Sequence, residues 1–166
     1  MTYSAAVITV SDRSAAGDRA DTAGPLAVSQ LARGGFSCTE PIVVADGADS
    51  VERALWAVLA AGARLVVTTG GTGVGPRDGT PEGTARVITQ DVPGIAEELR
   101  RVGSSETPGG MLSRGRSGVV GPVAGITAGA LIVNLPGSPK AVAAGIPIVL
   151  SVARHVIDQL AGGDHA

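Results

Sequence analysis

The sequence predicts an α/β sandwich built on a mostly parallel sheet, and three observations predict it. Short apolar runs rich in β-branched residues alternate with helical patterns of about 10 to 15 residues, as crossover units covered on both faces require. The 166 residues are near the usual size of one domain, so 1–166 is read as a single unit. Hydrophobic residues make up 44% and charged residues 17%, too apolar and too weakly charged for a disordered chain despite 25 Gly and 10 Pro.

Residues 5–10 (AAVITV) form the first buried strand, broken by a polar loop over 11–20. Asp21 is placed to cap a helix that carries Leu26 and Leu31 and stops at Gly34 and Gly35. Residues 36–44 predict a second strand. Asp49 and Glu52 have capping-box spacing, and Val51, Leu55, Val58 and Leu59 follow at helical intervals. Residues 65–69 (LVVTT) are a third strand ending at a glycine cluster, so the order to this point is β-α-β-α-β. Residues 93–102 predict a short helix bearing Ile95 and Leu99. In the Gly-rich stretch 109–129, residues 117–120 fit an edge or antiparallel strand. Residues 130–135 (ALIVNL) make a strand that runs directly into Pro136 and Gly137. The last helix, 147–160, carries Ile148, Val149, Val152, Val156, Ile157 and Leu160 on one side.

Composition excludes several classes of partner. The net charge is −2 and the aromatic residues are only Tyr3, Phe36 and Trp56, so neither a phosphate-backbone surface nor a base-stacking platform is expected, and nucleic acid is excluded. Cys38 is the single cysteine, which rules out an internal disulfide or a Cys-based zinc site and fits a reducing cytoplasm. No apolar stretch approaches the roughly 18 to 20 residues of a membrane span, so a soluble, untargeted protein with no membrane partner is expected. His155 and His165 read as solvated positions and Cys38 as an inert packing residue. Of 13 basic residues Lys140 alone is lysine, which makes its position informative.

The strongest local signal follows the third strand: Thr69-Gly70-Gly71-Thr72-Gly73-Val74-Gly75-Pro76-Arg77-Asp78-Gly79-Thr80-Pro81-Glu82, with four glycines in the six residues from Gly70. Glycine admits positive φ and close approach, so successive amides can form an anion-binding nest. Thr80 is placed as N-cap and Pro81 as first residue of a helix whose N-terminus favours the same anion. A P-loop is excluded because Pro76 and Arg77 stand where Lys and Ser or Thr are needed, and a dinucleotide fingerprint because Pro76 stands where Gly or Ala is needed. A plain strand-to-helix turn remains the simpler alternative, although it does not need so many glycines.

A carboxylate beside a bound phosphate makes most sense with a cation between them, so Asp78 is a candidate Mg²⁺ ligand. Asp46, just beyond the second strand at the carboxyl edge of the sheet, is a candidate partner, with an Asx-turn or cap as the alternative. The second strand-loop-helix, Asn134-Leu135-Pro136-Gly137-Ser138-Pro139-Lys140, repeats the design. Ser138 is placed as N-cap, and Lys140 in the first turn opposes the helix dipole, so it is expected to meet an anion. Ser113 and Arg114 add further donors.

These motifs together resemble the molybdopterin-binding family of molybdenum-cofactor biosynthesis, the Mog/MoaB group, and within it the molybdopterin adenylyltransferase branch. The resemblance covers nearly the whole chain. It rests on Thr9-Val10-Ser11-Asp12-Arg13, the Gly70 and Asp78 motifs, Pro93-Gly94-Ile95, Met111-Leu112-Ser113-Arg114-Gly115 and the Asn134 to Lys140 loop, all in family order. It implies a three-layer α/β/α domain, commonly a homotrimer, that transfers AMP from Mg²⁺-ATP to the terminal phosphate of molybdopterin, releases pyrophosphate and hands its product to a molybdate-insertion enzyme. The essential carboxylates fall on Asp46 and Asp78. Substrate and nucleotide contacts fall on Ser11, Asp12, Gly70, Gly71, Thr72, Gly73, Thr80, Ser113, Arg114, Asn134, Pro136, Gly137, Ser138 and Lys140. Gly79 and Gly83 depart from the family pattern, where a small β-branched residue and Ala are more usual, and predict a more mobile loop and a helix start weakened by about 1 kcal/mol. A MoaB-type trimer that binds pterin or nucleotide without turnover, or acts as a scaffold in cofactor assembly, is the competing reading.

Overall fold

The structure is a computed structural model and describes residues 2–123, 126 and 128–162. In chain order it comprises β1 (Ser4–Val10), α1 (Asp12–Ala15), α2 (Ala23–Arg33), β2 (Ser37–Cys38), β3 (Ile42–Val44), α3 (Ala48–Ala60) and β4 (Leu65–Thr69). There follow α4 (Thr80–Ala85), β5 (Gln90–Asp91), α5 (Pro93–Glu106), a 3₁₀ turn (Pro108–Leu112), β6 (Ser117–Val120), β7 (Ala130–Leu135) and α6 (Pro139–Leu160).

The strands make one seven-stranded sheet ordered β2-β1-β4-β7-β6-β5, with β3 also on β1. Pairings among β1, β2, β3, β4 and β7 are parallel, while β6 and β5 run antiparallel at the far edge. Successive residues of the central strands serve opposite faces. Leu65, Val67, Leu131 and Val133 pack with Leu31 of α2, Ile95 of α5 and Ile146 of α6. Val66, Ile132 and Ile8 pack with Val51, Leu55 and Leu59 of α3. The result is the expected three-layer sandwich, and burial on both faces explains why these strands read as unbroken apolar runs. Each such fully buried Leu or Ile contributes roughly 1.5–3 kcal/mol.

Several elements differ from expectation. The strand expected over 36–44 is two pieces, because the register on β1 slips by one residue between Ala5↔Cys38 and Ile8↔Ile42 and Pro41, which has no N–H, lies in the interruption. The polar loop 11–20 begins with a helical turn that Ser11 caps, its Oγ accepting from the Ser14 N–H at 3.2 Å. The next helix begins at Ala23 with Thr22, not Asp21, in the cap position, although Asp21 one residue earlier still accepts from the Gly24 N–H at 2.9 Å. No capping box opens α3; Asp49 and Glu52 instead pair with Arg86, at 2.7 and 3.0 Å. The helix expected over 93–102 continues to Glu106.

The last helix begins at Pro139 rather than 147, with Pro147 inside it. Pro147 is on the exposed side, where the Ala143 carbonyl that loses its donor can be hydrated. The resulting 22-residue α6 has mean hydropathy 1.5 over its most apolar window, long and apolar enough to cross a membrane, which corrects the expectation that no such stretch exists. Here its stripe of Val142, Ile146, Val149, Ala153 and Ile157 is buried as a core helix. His155 is exposed as expected, its Nε2 2.9 Å from Gln159 Nε2; His165 lies outside the described residues.

Parallel pairing sends the carboxyl ends of β1, β3, β4 and β7 to one edge of the sheet. Every loop singled out in the sequence therefore emerges on that edge.

Candidate functional site

A cavity of about 780 Å³ occupies this edge. Ser11 and Asp12 enter it after β1, Asp46 after β3, Gly70 to Gly73 and Asp78 after β4, and Pro136, Gly137, Ser138 and Lys140 after β7. α5 and the 3₁₀ turn add the apolar side chains of Leu99, Val102 and Leu112, with Arg100, Glu106 and Ser113. The cavity thus has a polar half around the glycine loop and a mixed half against α5 and α6.

The glycine loop is tied back by its carbonyls. Thr80 Oγ1 donates to the Gly70 carbonyl at 2.8 Å and the Thr80 N–H to that of Gly71 at 3.1 Å. Arg114 donates its backbone N–H to the Thr72 carbonyl at 2.8 Å and its Nε to that of Gly73 at 2.7 Å. Among the described residues the N–H groups of Gly71, Thr72 and Gly73 donate to no protein acceptor. Three successive amides without a protein acceptor are the donor set that an anion nest requires. Gly70 (φ +103°) and Gly71 (φ +65°) have backbone that side chains rarely adopt. A Cβ on Gly70 would overlap the Val10 carbonyl oxygen.

The second loop leans on the first. The Gly70 N–H donates to the Leu135 carbonyl at 3.0 Å and Thr69 Oγ1 to that of Pro136 at 3.2 Å. A Cβ on Gly137 would lie 3.2 Å from Gly70 Cα, a tight contact that the two turns could relieve only by moving a few tenths of an ångström apart. Ser138 caps α6 as expected, accepting from the Ala141 N–H at 3.1 Å.

The acidic wall is cross-braced. Asp46 Oδ2 accepts from the Asp12 N–H at 2.8 Å, and Asp12 Oδ1 from the Asp46 N–H at 3.0 Å. Arg77 spans both, reaching Asp12 through Nε and a terminal nitrogen at 3.1 Å each and the Asp46 carbonyl at 2.8 Å. Its hydrogen bonds hold the Asp12 carboxyl below the usual aspartate range. Asp78 Oδ2 accepts from the Gly75 N–H at 2.8 Å, which closes its own loop. Asp46 and Asp78 both line the cavity, and a two-carboxylate oxygen set completed by substrate phosphate suits Mg²⁺. Among the described residues there is no group of three or more Asp, Glu, His or Cys able to form a protein-only cage.

Four of the expected contact residues have protein partners of their own. Arg114 braces the glycine loop, also reaching the Asp78 carbonyl at 2.8 Å and both oxygens of Glu82, whose carboxyl it holds below the usual glutamate range. Thr80 is the first helical residue rather than the cap, which is Gly79, because its hydroxyl goes to Gly70. Asn134 lines the cavity, but its side chain is committed to Thr68 Oγ1 at 3.0 Å, Thr84 Oγ1 at 2.9 Å and the Arg116 N–H at 3.0 Å. Lys140 does meet an anion, but that anion is Glu106, at 2.6 Å. Gly79 and Gly83 are explained by close packing rather than mobility: a Cβ on either would come within 2.6 Å of the α3 backbone at Ala48. Sequence reasoning gave Arg77, Arg100 and Glu106 no role. Arg77 stands inside a motif that was legible, but its partner Asp12 is 65 residues away.

The probable molybdopterin binding domain family matches residues 6–155. The chain belongs to this Mog/MoaB-type molybdopterin-binding family. Among solved family structures, the molybdopterin biosynthesis Mog protein of Mycobacterium ulcerans is 41% identical, with a TM-score of 0.86 over 98% of this chain and 99% of that one. The tungsten cofactor synthesizing protein MoaB of Pyrococcus furiosus is 31% identical, also with a TM-score of 0.86, over 96% and 97%. The molybdenum cofactor biosynthesis bifunctional protein of Synechococcus elongatus is 39% identical over 161 residues, 97% of this chain and 48% of that protein. The chain therefore spans about half the length of the bifunctional relatives it matches. The molybdopterin adenylyltransferase of Pyrococcus furiosus is 35% identical over 94% of this chain and 90% of its own length.

Proposed function

We propose that the chain is a molybdopterin adenylyltransferase, acting in the cytoplasm as a homotrimer and passing its product to a molybdate-insertion enzyme. An oxygen of the terminal phosphate of molybdopterin attacks the α-phosphorus of ATP, the bond to the β-phosphate bridging oxygen breaks, and pyrophosphate leaves. The observation that carries this reading is the glycine loop, with four carbonyls tied back, three amides left over, and Asp46 and Asp78 in the same cavity.

Two polyanions must meet, so the protein's work is positioning and charge neutralisation. Gly71 to Gly73 hold a phosphate through backbone amides, with Ser11, Ser113 and Ser138 as nearby hydroxyls and Lys140 as the cation of the second loop. Asp46 and Asp78 would hold Mg²⁺, which when bound neutralises phosphate charge. Asp12, with Arg77, fixes Asp46; Gly70, Pro136, Gly137 and Asn134 fix the loops, and Thr80 and Arg114 brace them. The apolar side chains of Leu99, Val102 and Leu112 in the mixed half suit a flat heterocycle.

Purified protein is given Mg²⁺-ATP and molybdopterin, and molybdopterin-dependent pyrophosphate release is measured. Asp46→Asn and Asp78→Asn should each lower the rate by about 100-fold or more, as loss of a charge-stabilising group does. Wild-type rates in both variants would overturn the assigned roles. Binding of both substrates with no pyrophosphate release would favour the binding-module reading.

A further inference from the structure

Glu106 is the last residue of α5 and Lys140 the second of α6, and both line the cavity. Each charge stands at the helix end that disfavours it, a carboxylate at a C-terminus and an ammonium in a first turn. Helix stability therefore does not account for either. α6 is already capped by Ser138, so Lys140 is not needed there. The two meet at 2.6 Å with side chains 49% and 73% exposed, and Lys140 is the only lysine in the chain.

We propose that Glu106 is a specificity-determining residue that competes with ligand phosphate for Lys140. The proposal rests on the reading of the cavity as a phosphate site and adds to it the residue that sets the threshold. An ion pair this exposed is weak and exchanges readily. A ligand must outbid one carboxylate charge to reach Lys140; a polyphosphate does so and a neutral ligand gains nothing. Lys140 in turn holds the Glu106 carboxyl below the usual glutamate range, so the competitor is charged at neutral pH.

Calorimetric titration with inorganic pyrophosphate and with adenosine tests this on wild type, Glu106→Gln, Lys140→Gln, the double variant, and Glu98→Gln as an exposed ion-pair control away from the cavity. Glu106→Gln should bind pyrophosphate about two- to fivefold more tightly, the scale of one exposed pair. Adenosine binding should not change, and the gain should vanish when Lys140 is Gln. Because Lys140 is the sole lysine, a ¹³C-dimethyl label gives one side-chain resonance, which should move on pyrophosphate addition and already be displaced in Glu106→Gln. Equal tightening with and without Lys140, or no tightening while pyrophosphate binds wild type and the resonance stays still, overturns the Glu106 proposal alone. Failure of pyrophosphate to bind any variant overturns the phosphate-site reading together with it.

Discussion

Asp12 and Asp46, 34 residues apart, each donate a backbone N–H to the other's carboxylate, at 2.8 and 3.0 Å. This reciprocal clasp joins the loops that follow β1 and β3, and Arg77 closes it from outside. Asp12 thereby fixes the direction in which Asp46 presents its remaining oxygen lone pairs. On the proposed function, Asp12→Ala should lower adenylyl transfer by about 10- to 100-fold, the penalty for displacing Asp46 from its proposed position by a fraction of an ångström to an ångström. Asp12→Asn, which keeps one acceptor, should lose less. Steady-state kinetics check this, with the loss expected in kcat more than in the KM for ATP.

Arg114 separates a brace from a ligand contact. Its guanidinium reaches Gly73, Asp78 and Glu82 together, a fork that lysine cannot reproduce. Both Arg114→Lys and Arg114→Ala should raise amide hydrogen exchange across residues 72–79, with kcat/KM falling about tenfold as positioning is lost. Weaker phosphate binding with unchanged exchange would return Arg114 to the direct role that its sequence motif suggested.

Gly70 and Gly17 provide a matched pair. Both have positive φ, +103° and +82°, but a side chain at Gly17 meets nothing within 4 Å whereas one at Gly70 meets the Val10 carbonyl. Gly17→Ala should cost about 1 kcal/mol from backbone strain alone, while Gly70→Ala should cost about 3 kcal/mol or more. Thermal unfolding should show shifts of roughly 2–4 °C and 6–12 °C respectively.

The Asp12–Arg77 pair sets an acid-side dependence. The folded-state pKa of Asp12 is depressed, so the folded protein binds fewer protons than the unfolded chain below about pH 4. The stabilisation is therefore complete above the unfolded value of about 3.9 and is lost as pH falls through the folded value. Arg77→Met should lower the Tm relative to wild type at about pH 7, with the gap closing below about pH 4. Carboxyl NMR should show the Asp12 titration moving up toward its ordinary value in the variant.

The central strands were legible because their environment is uniform. Residues 65–69 and 130–135 are buried on both faces, so unbroken apolar runs could mean little else between glycine loops. Helix starts were less legible. Asp49 and Glu52 fit a capping box, yet Arg86, more than thirty residues on, takes both carboxylates. The last helix was expected from residue 147, and only the exposed position of Pro147 inside α6 shows why it is tolerated mid-helix.

The sequence by itself determined the chemistry available at the site: glycines that free backbone amides, two aspartates beyond strand ends, and a solitary lysine opposing a helix dipole. Each is a local property, fixed by residue type and by neighbours within one turn. Only the tertiary structure decided how those groups are used. It placed Arg114 on the loop carbonyls, Arg77 on the aspartate clasp and Glu106 on Lys140. The physical reason is range: long charged side chains choose partners by proximity in space, and the parallel sheet brings loops 30 to 65 residues apart to one edge.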